Sequence, residues 1–208
     1  MKEQTVIYIH GKGGSAAEAE HYRPLFPDAS VLGLDYLSET PWEAKAELPK
    51  LFDAVCGREK GITLIANSIG AYFAMIALSD KPINRAFFIS PVVDMEKLIR
   101  DMMIWADIRE EELREKGEIE TPFGETLSWE YLCYVRDHLI HWEIPTHILY
   151  GENDHLCAWD TVSAFAAEHG ATLDVMRGGE HWFHTEAQMA YLDEWLKKYE
   201  EKADLFTI

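Results

Sequence analysis

The chain has 208 residues, 48% of them hydrophobic, which is enough for one well-buried domain and short for two. With 37 acidic against 19 basic residues its formal charge is −18, which argues against nucleic acid and anionic membrane as partners because both would be repelled. No segment approaches the uninterrupted apolar length that spans a bilayer, and Cys56, Cys133 and Cys157 are an odd number without metal-ligand spacing, so no disulfide framework is expected. The opening MKEQTVIYIHG enters a strand-like run at once, without a signal peptide's longer apolar region. The expected location is cytoplasmic. Acidic residues are densest from Glu110 to Glu120 and from Glu194 to Asp204, which read as solvated helix faces.

Taken in order, Thr5 to His10 reads as a strand, ending in the small-residue loop Gly11-Lys12-Gly13-Gly14-Ser15. Ser15 can cap a helix over Ala16 to Tyr22. A second strand is expected from Ser30 to Asp35. Trp42 to Val55 has helical spacing, with Pro49 marking a break inside it. Ile62 to Ala66 is a third strand and Ala71 to Leu78 the following helix; Arg85 to Ser90 is a fourth strand, stopped by Pro91. This alternation predicts a parallel sheet covered by helices on both faces. From Val92 to about Trp142 the rhythm breaks. No strand-like run is read there, only two helical patterns separated by Gly117 to Ser128. Alternation resumes with a strand at Thr146 to Tyr150, a helix at Thr161 to His169, a last strand at Thr172 to Met176 and a closing helix at Gln188 to Tyr199.

The stretch GITLIANSIGAYFAMIA, Gly61 to Ala77, organises the rest. A buried strand passes directly into a buried helix, so the turn at Asn67-Ser68-Ile69-Gly70 must be tight and its apex, Ser68, must project. The amides after Ser68 open a helix, where they stabilise negative charge. This is the logic of the nucleophile elbow, G-x-S-x-G. Here the pentapeptide is Ala66-Asn67-Ser68-Ile69-Gly70, with Ala in the first small position. An ordinary helix N-cap is the competing reading of such a serine.

Three polar features follow successive strands: Ser68 after the third, Asp154 after the fifth and His181 after the sixth. In an open parallel sheet, sites form along that edge. On the His10-Gly11 loop, the elbow ANSIG, the turn Gly151-Glu152-Asn153-Asp154 and the loop Gly178-Gly179-Glu180-His181-Trp182-Phe183, taken in that order, the chain resembles the α/β-hydrolase superfamily, in particular its small serine esterases. The resemblance runs over nearly the whole chain. It implies one α/β-hydrolase domain over residues 1–208, a mostly parallel sheet of about six strands, and a small helical cap inserted at about 92–142. It also implies Ser68 as nucleophile, His181 as general base, Asp154 as the acid orienting the imidazole, and the backbone amides of Lys12 and Ile69 as oxyanion donors. No cofactor and no metal are implied. The departures are Ala66 and an opening at what resembles the family's third strand.

Each role has rivals. His184 competes with His181, which is favoured because it follows the flexible Gly178-Gly179. Glu152 comes early after its strand, Asp160 reads as a helix cap, and Asp94, after the fourth strand, is an alternative acid or an N-cap. His10 reads as structural. His138 and His141 have helical spacing but no third metal ligand. Met102, Met103, Trp105 and Trp129 in the insertion are candidate pocket residues, against plain core packing. The leading expectation is a hydrolase of a small or medium carboxylic ester. A thioesterase or small peptidase would use the same groups, a non-catalytic binding protein could use the same fold, and a phosphate or nucleotide site at Gly11 to Ser15 lacks the phosphate-loop spacing.

Overall fold

The computed structural model describes residues 4–57 and 61–205, with the side chains of 201–205 excepted. The elements run β1 (Gln4–Ile9), a 3-10 helix (Ala16–Leu25), β2 (Ala29–Gly33), α1 (Pro41–Cys56), β3 (Ile62–Asn67), α2 (Ile69–Ala77) and β4 (Ile83–Ile89). Then come α3 (Met95–Trp105), α4 (Glu110–Lys116), β5 (Glu118–Glu120), β6 (Thr126–Ser128) and α5 (Trp129–Asp137). The chain closes with β7 (Thr146–Gly151), α6 (Trp159–Glu168), β8 (Thr172–Met176) and α7 (Glu186–Leu205).

Six strands form one sheet in the order β2-β1-β3-β4-β7-β8, with every neighbouring pair parallel. The strands are apolar on both faces because both faces are covered. Side chains alternate along β1: Ile7 and Ile9 join the core beneath α1, α2 and α6, with Leu48, Phe52, Phe73 and Val162. Val6 and Tyr8 join the opposite core beneath the 3-10 helix and α7, with Tyr22, Leu192, Trp195 and Leu196. The chain leaves β1 toward β2 and returns past it to β3. The order therefore reverses between β1 and β3, and the crevice that such a reversal opens lies at their C-terminal ends. Gly11 and Ser68 occupy that position.

Two expectations change. α1 runs unbroken through Pro49. Its start is secured by Pro41 at the first turn and a capping box between Thr40 and Glu43, and its stripe Ala44, Leu48, Phe52 and Cys56 is buried. Burial of that stripe offsets the missing backbone hydrogen bond. The second change lies in the insertion, which contains three helices and a hairpin rather than two helical patterns and a loop. β5 and β6 pair antiparallel in the register Glu118↔Ser128, Ile119↔Leu127 and Glu120↔Thr126. Gly124, at φ 85, makes the turn, and the Thr121 hydroxyl closes it by bonding both the amide and the carbonyl of Glu125. The acidic run 110–116 is α4, with Glu110, Glu111 and Glu112 at its N-terminus and Arg114 and Lys116 at its C-terminus, matching the helix dipole. Arg136 of α5 binds both Glu96 of α3 and Glu110 of α4, tying the three helices together.

Candidate active site

β3 ends at Asn67 and α2 begins at Ile69, which leaves Ser68 alone to turn the chain. Its φ of 52° and ψ of −122° are strained for a residue with a Cβ. The surroundings fix this conformation. The Ser68 amide donates to the Ile89 carbonyl at 3.0 Å, and its own carbonyl accepts from Val92 and Ala71, each at 3.1 Å. Helix α2 presses on the end of β1, where a Cβ at Gly70 would lie 2.3 Å from the His10 carbonyl oxygen. Gly11 lies against the same turn; a Cβ there would sit 3.3 Å from the Ser68 Cβ. Ala66 is fully buried in β3.

Ser68 Oγ lies 2.8 Å from His181 Nε2, and His181 Nδ1 lies 2.7 Å from Asp154 Oδ2. An ionised carboxylate only accepts, so the ring proton belongs on Nδ1 and Nε2 is free to accept from the Ser68 hydroxyl. Asp154 Oδ1 accepts from the amides of Leu156 (2.8 Å) and Cys157 (2.9 Å). The Asp154 carboxylate is fully buried and the His181 ring is 20% exposed. The two loops carrying them are laced together. The Gly178 amide donates to Glu152 Oε2 at 2.9 Å, and the Asn153 amide to the Gly179 carbonyl at 2.7 Å. At Gly151 there is no room for a side chain, since a Cβ would fall 2.4 Å from the Glu180 carbonyl oxygen.

The rival residues are engaged elsewhere. His184 is exposed, and its Nδ1 donates to the Trp182 carbonyl at 2.7 Å. Asp94 caps α3, accepting from the Lys97 amide at 2.8 Å. Asp160 is not a cap: Ala158 holds that position and Asp160 lies in the first turn of α6. Glu152 serves the histidine loop, a tie that its place before Asp154 did not reveal. His10 is buried, donates from Nδ1 to the Gly11 carbonyl at 2.8 Å, and stacks on Tyr36 at 4.2 Å between ring centroids. His138 is exposed and donates from Nδ1 to the Tyr134 carbonyl, and His141 is exposed.

Ile69, as the first residue of α2, has no carbonyl behind it within the helix to accept its amide. Lys12 follows Gly11 directly, and its ammonium pairs with Glu125 at the hairpin turn. The four candidate pocket residues divide between core and surface. Met103 is buried in the core, Met102 and Trp129 pack partly buried against that core, and Trp105 is half-exposed, edge-on to Phe123. One neighbour had no sequence signal beyond its spacing from Asp154. The Cys157 sulfur lies within 4.8 Å of donor atoms of both Asp154 and His181. Burial and the Asp154 charge both push the Cys157 thiol up from its ordinary pKa.

No protein-family model matches the chain, and no curated protein matches its sequence. Solved structures do match. Alpha/beta hydrolase domain-containing protein 10 from mouse aligns over 96% of this chain and 90% of its own, with TM-score 0.74 and 18% identity. Est1E from Butyrivibrio proteoclasticus aligns over 97% and 88%, with TM-score 0.76 and 16% identity. A lipase-esterase related protein from Clostridium acetobutylicum aligns over 94% and 93%, with TM-score 0.66 and 18% identity. The chain has the α/β-hydrolase fold.

Proposed function

We propose that this protein is a serine hydrolase that cleaves a small or medium carboxylic ester through an acyl-enzyme. The observation that carries the reading is the unbroken hydrogen-bonded line from Ser68 through His181 to buried Asp154. Ser68 Oγ attacks the ester carbonyl as its proton passes to His181 Nε2. The tetrahedral oxyanion is held by the amides of Ile69 and Lys12, a donor of this kind being worth about 3 kcal/mol of barrier. Collapse expels the alcohol, which takes the proton from Nε2. Water then repeats the sequence, donating its proton to Nε2, and releases the carboxylic acid and Ser68. Asp154 holds the ring with Nδ1–H toward itself and stabilises the imidazolium formed in both halves. The insertion at 92–142 acts as a cap over this edge. The strained Ser68 backbone supports the same reading, because an ordinary N-cap has no need of a positive φ.

The test is hydrolysis of p-nitrophenyl esters of increasing acyl length, beside labelling by a fluorophosphonate, for wild type, Ser68→Ala and His181→Ala. Wild type turns over and is labelled, while both variants lose about 10⁴-fold or more in kcat. Labelling without turnover would move the substrate to a thioester or peptide bond. Neither labelling nor turnover by wild type would overturn the reading and leave a binding protein built on this fold.

A further inference from the structure

Cys157 takes no part in that chemistry, yet its sulfur, a carboxylate oxygen of Asp154 and a ring nitrogen of His181 all lie within 4.8 Å of one another. We propose that Asp154, Cys157 and His181 form a binding site for a zinc ion, and that zinc bound there reversibly arrests the enzyme. The donor set is one sulfur, one imidazole nitrogen and one carboxylate oxygen. That mixture suits zinc and is poor for magnesium or calcium, which take oxygen donors. Tetrahedral zinc, with bonds of about 2.0–2.3 Å, sets its donors about 3.3–3.7 Å apart. Donor atoms up to 4.8 Å apart therefore need to close by at most about 1.5 Å, and the 2.7 Å contact between Asp154 and His181 to open by about 0.6–1.0 Å, to fit an ion.

Charge favours the complex. Zinc bound by a thiolate, a carboxylate and a neutral imidazole is electrically neutral, which is the form that a buried site tolerates. The thiol proton of Cys157 leaves to solvent as the sulfur takes the zinc, and the His181 ring stays neutral by carrying its one proton on Nε2 while Nδ1 binds the metal. Asp154 is already oriented, because its other oxygen is held by the Leu156 and Cys157 amides. Access is from the His181 side, where the ring is partly exposed. The net charge of −18 concentrates cations at the surface. With zinc on Nδ1 and the ring proton on Nε2, His181 has no lone pair left to accept the Ser68 proton, so proton transfer from the serine stops. The arrest rests on the proposed hydrolase reading, whereas the binding rests on the trio alone.

Both parts are tested on chelator-stripped full-length protein with zinc sulfate as the probe. Calorimetry shows one zinc per chain, and cobalt(II) added in its place gives a thiolate charge-transfer band in the near ultraviolet. Zinc slows fluorophosphonate labelling and ester turnover, and a chelator restores both. Cys157→Ala and Cys157→Ser, each measured against its own zinc-free labelling rate, lose the cobalt band and need at least about tenfold more zinc for the same fractional inhibition. Absence of binding and of the cobalt band in wild type overturns the proposal without reliance on any variant. Equal zinc sensitivity of folded Cys157 variants and wild type overturns it as well. Zinc binding by a protein that neither labels nor turns over overturns the hydrolase reading and the arrest while the site stands.

Discussion

At Ser68 the chain stores backbone strain where a side chain must project from a turn with no loop to spare. The conformation persists because Ile89, Val92 and Ala71 bond the Ser68 backbone, and because Gly70 lets α2 come down onto His10. Substituting Gly70 tests this. In Gly70→Ala the new Cβ would meet the His10 carbonyl oxygen at 2.3 Å and the Ile9 carbonyl oxygen at 2.8 Å. Neither can retreat easily, since β1 is paired on both sides. The variant is expected to lose about 1–3 kcal/mol in denaturant unfolding and to label more slowly with fluorophosphonate. Gly13→Ala is the contrasting case: Gly13 has a φ of 72° and nothing within 4 Å of an added Cβ, so its cost is backbone strain without a clash against the elbow. A Gly70→Ala protein as stable and as reactive as wild type would mean that the close packing does not hold the elbow. Ser68, Asp154 and His181 could be singled out from sequence because each follows a strand and strands end along one edge. Glu152, Cys157 and Glu125 could not, since what matters about them is their distance from residues remote in the chain.

The hairpin β5–β6 joins the insertion to the loop after β1. Its turn carries Glu125, which pairs with Lys12, and Phe123, which meets Trp105 at 6.3 Å between ring centroids. Sequence patterning read this stretch as a connection for a physical reason. Three-residue strands are too short to display a period, and Leu127 is the one buried residue in the pair. Pro49 misled in the opposite sense, because a proline rule weighs the local backbone and not the buried stripe on which the helix rests. The Lys12–Glu125 pair is well exposed, Lys12 by 67%, so its worth to stability is under about 1 kcal/mol. Its position matters more, because the backbone of Lys12 carries a proposed oxyanion donor. Glu125→Gln is expected to melt with wild type and to lose about threefold in kcat/KM at low salt, a cost below about 1 kcal/mol. The loss should vanish in 1 M NaCl, where the screening length is about 3 Å. A Lys12→Glu/Glu125→Lys double variant should recover most of the rate. A defect independent of salt, or one not rescued by the swap, would assign Glu125 a steric role instead.

For the whole molecule, the alternation of strands and helices was enough to predict a parallel sheet covered on both faces, because strands apolar on both faces leave little else. The strand order was not readable, since nothing in a strand's own residues says on which side of β1 its successor pairs. Charge is another property that belongs to the molecule and not to any element. Acidic residues outnumber basic ones by 37 to 19 and are spread along the chain, so the field at the sheet edge sums many distant carboxylates. A field of this kind repels anionic substrates before any contact forms, and salt removes it. Two p-nitrophenyl esters of matched acyl length, one ending in a methyl group and one in a carboxylate, isolate the effect. The neutral ester is expected to have about tenfold higher kcat/KM at low ionic strength. In 1 M NaCl the ratio should fall severalfold, through the rate on the anionic ester alone. A ratio unmoved by salt would trace discrimination to a desolvated contact in the pocket, where screening does not reach. A preference for the anionic ester at every salt concentration would require a buried cation near Ser68 that outweighs the surrounding carboxylates.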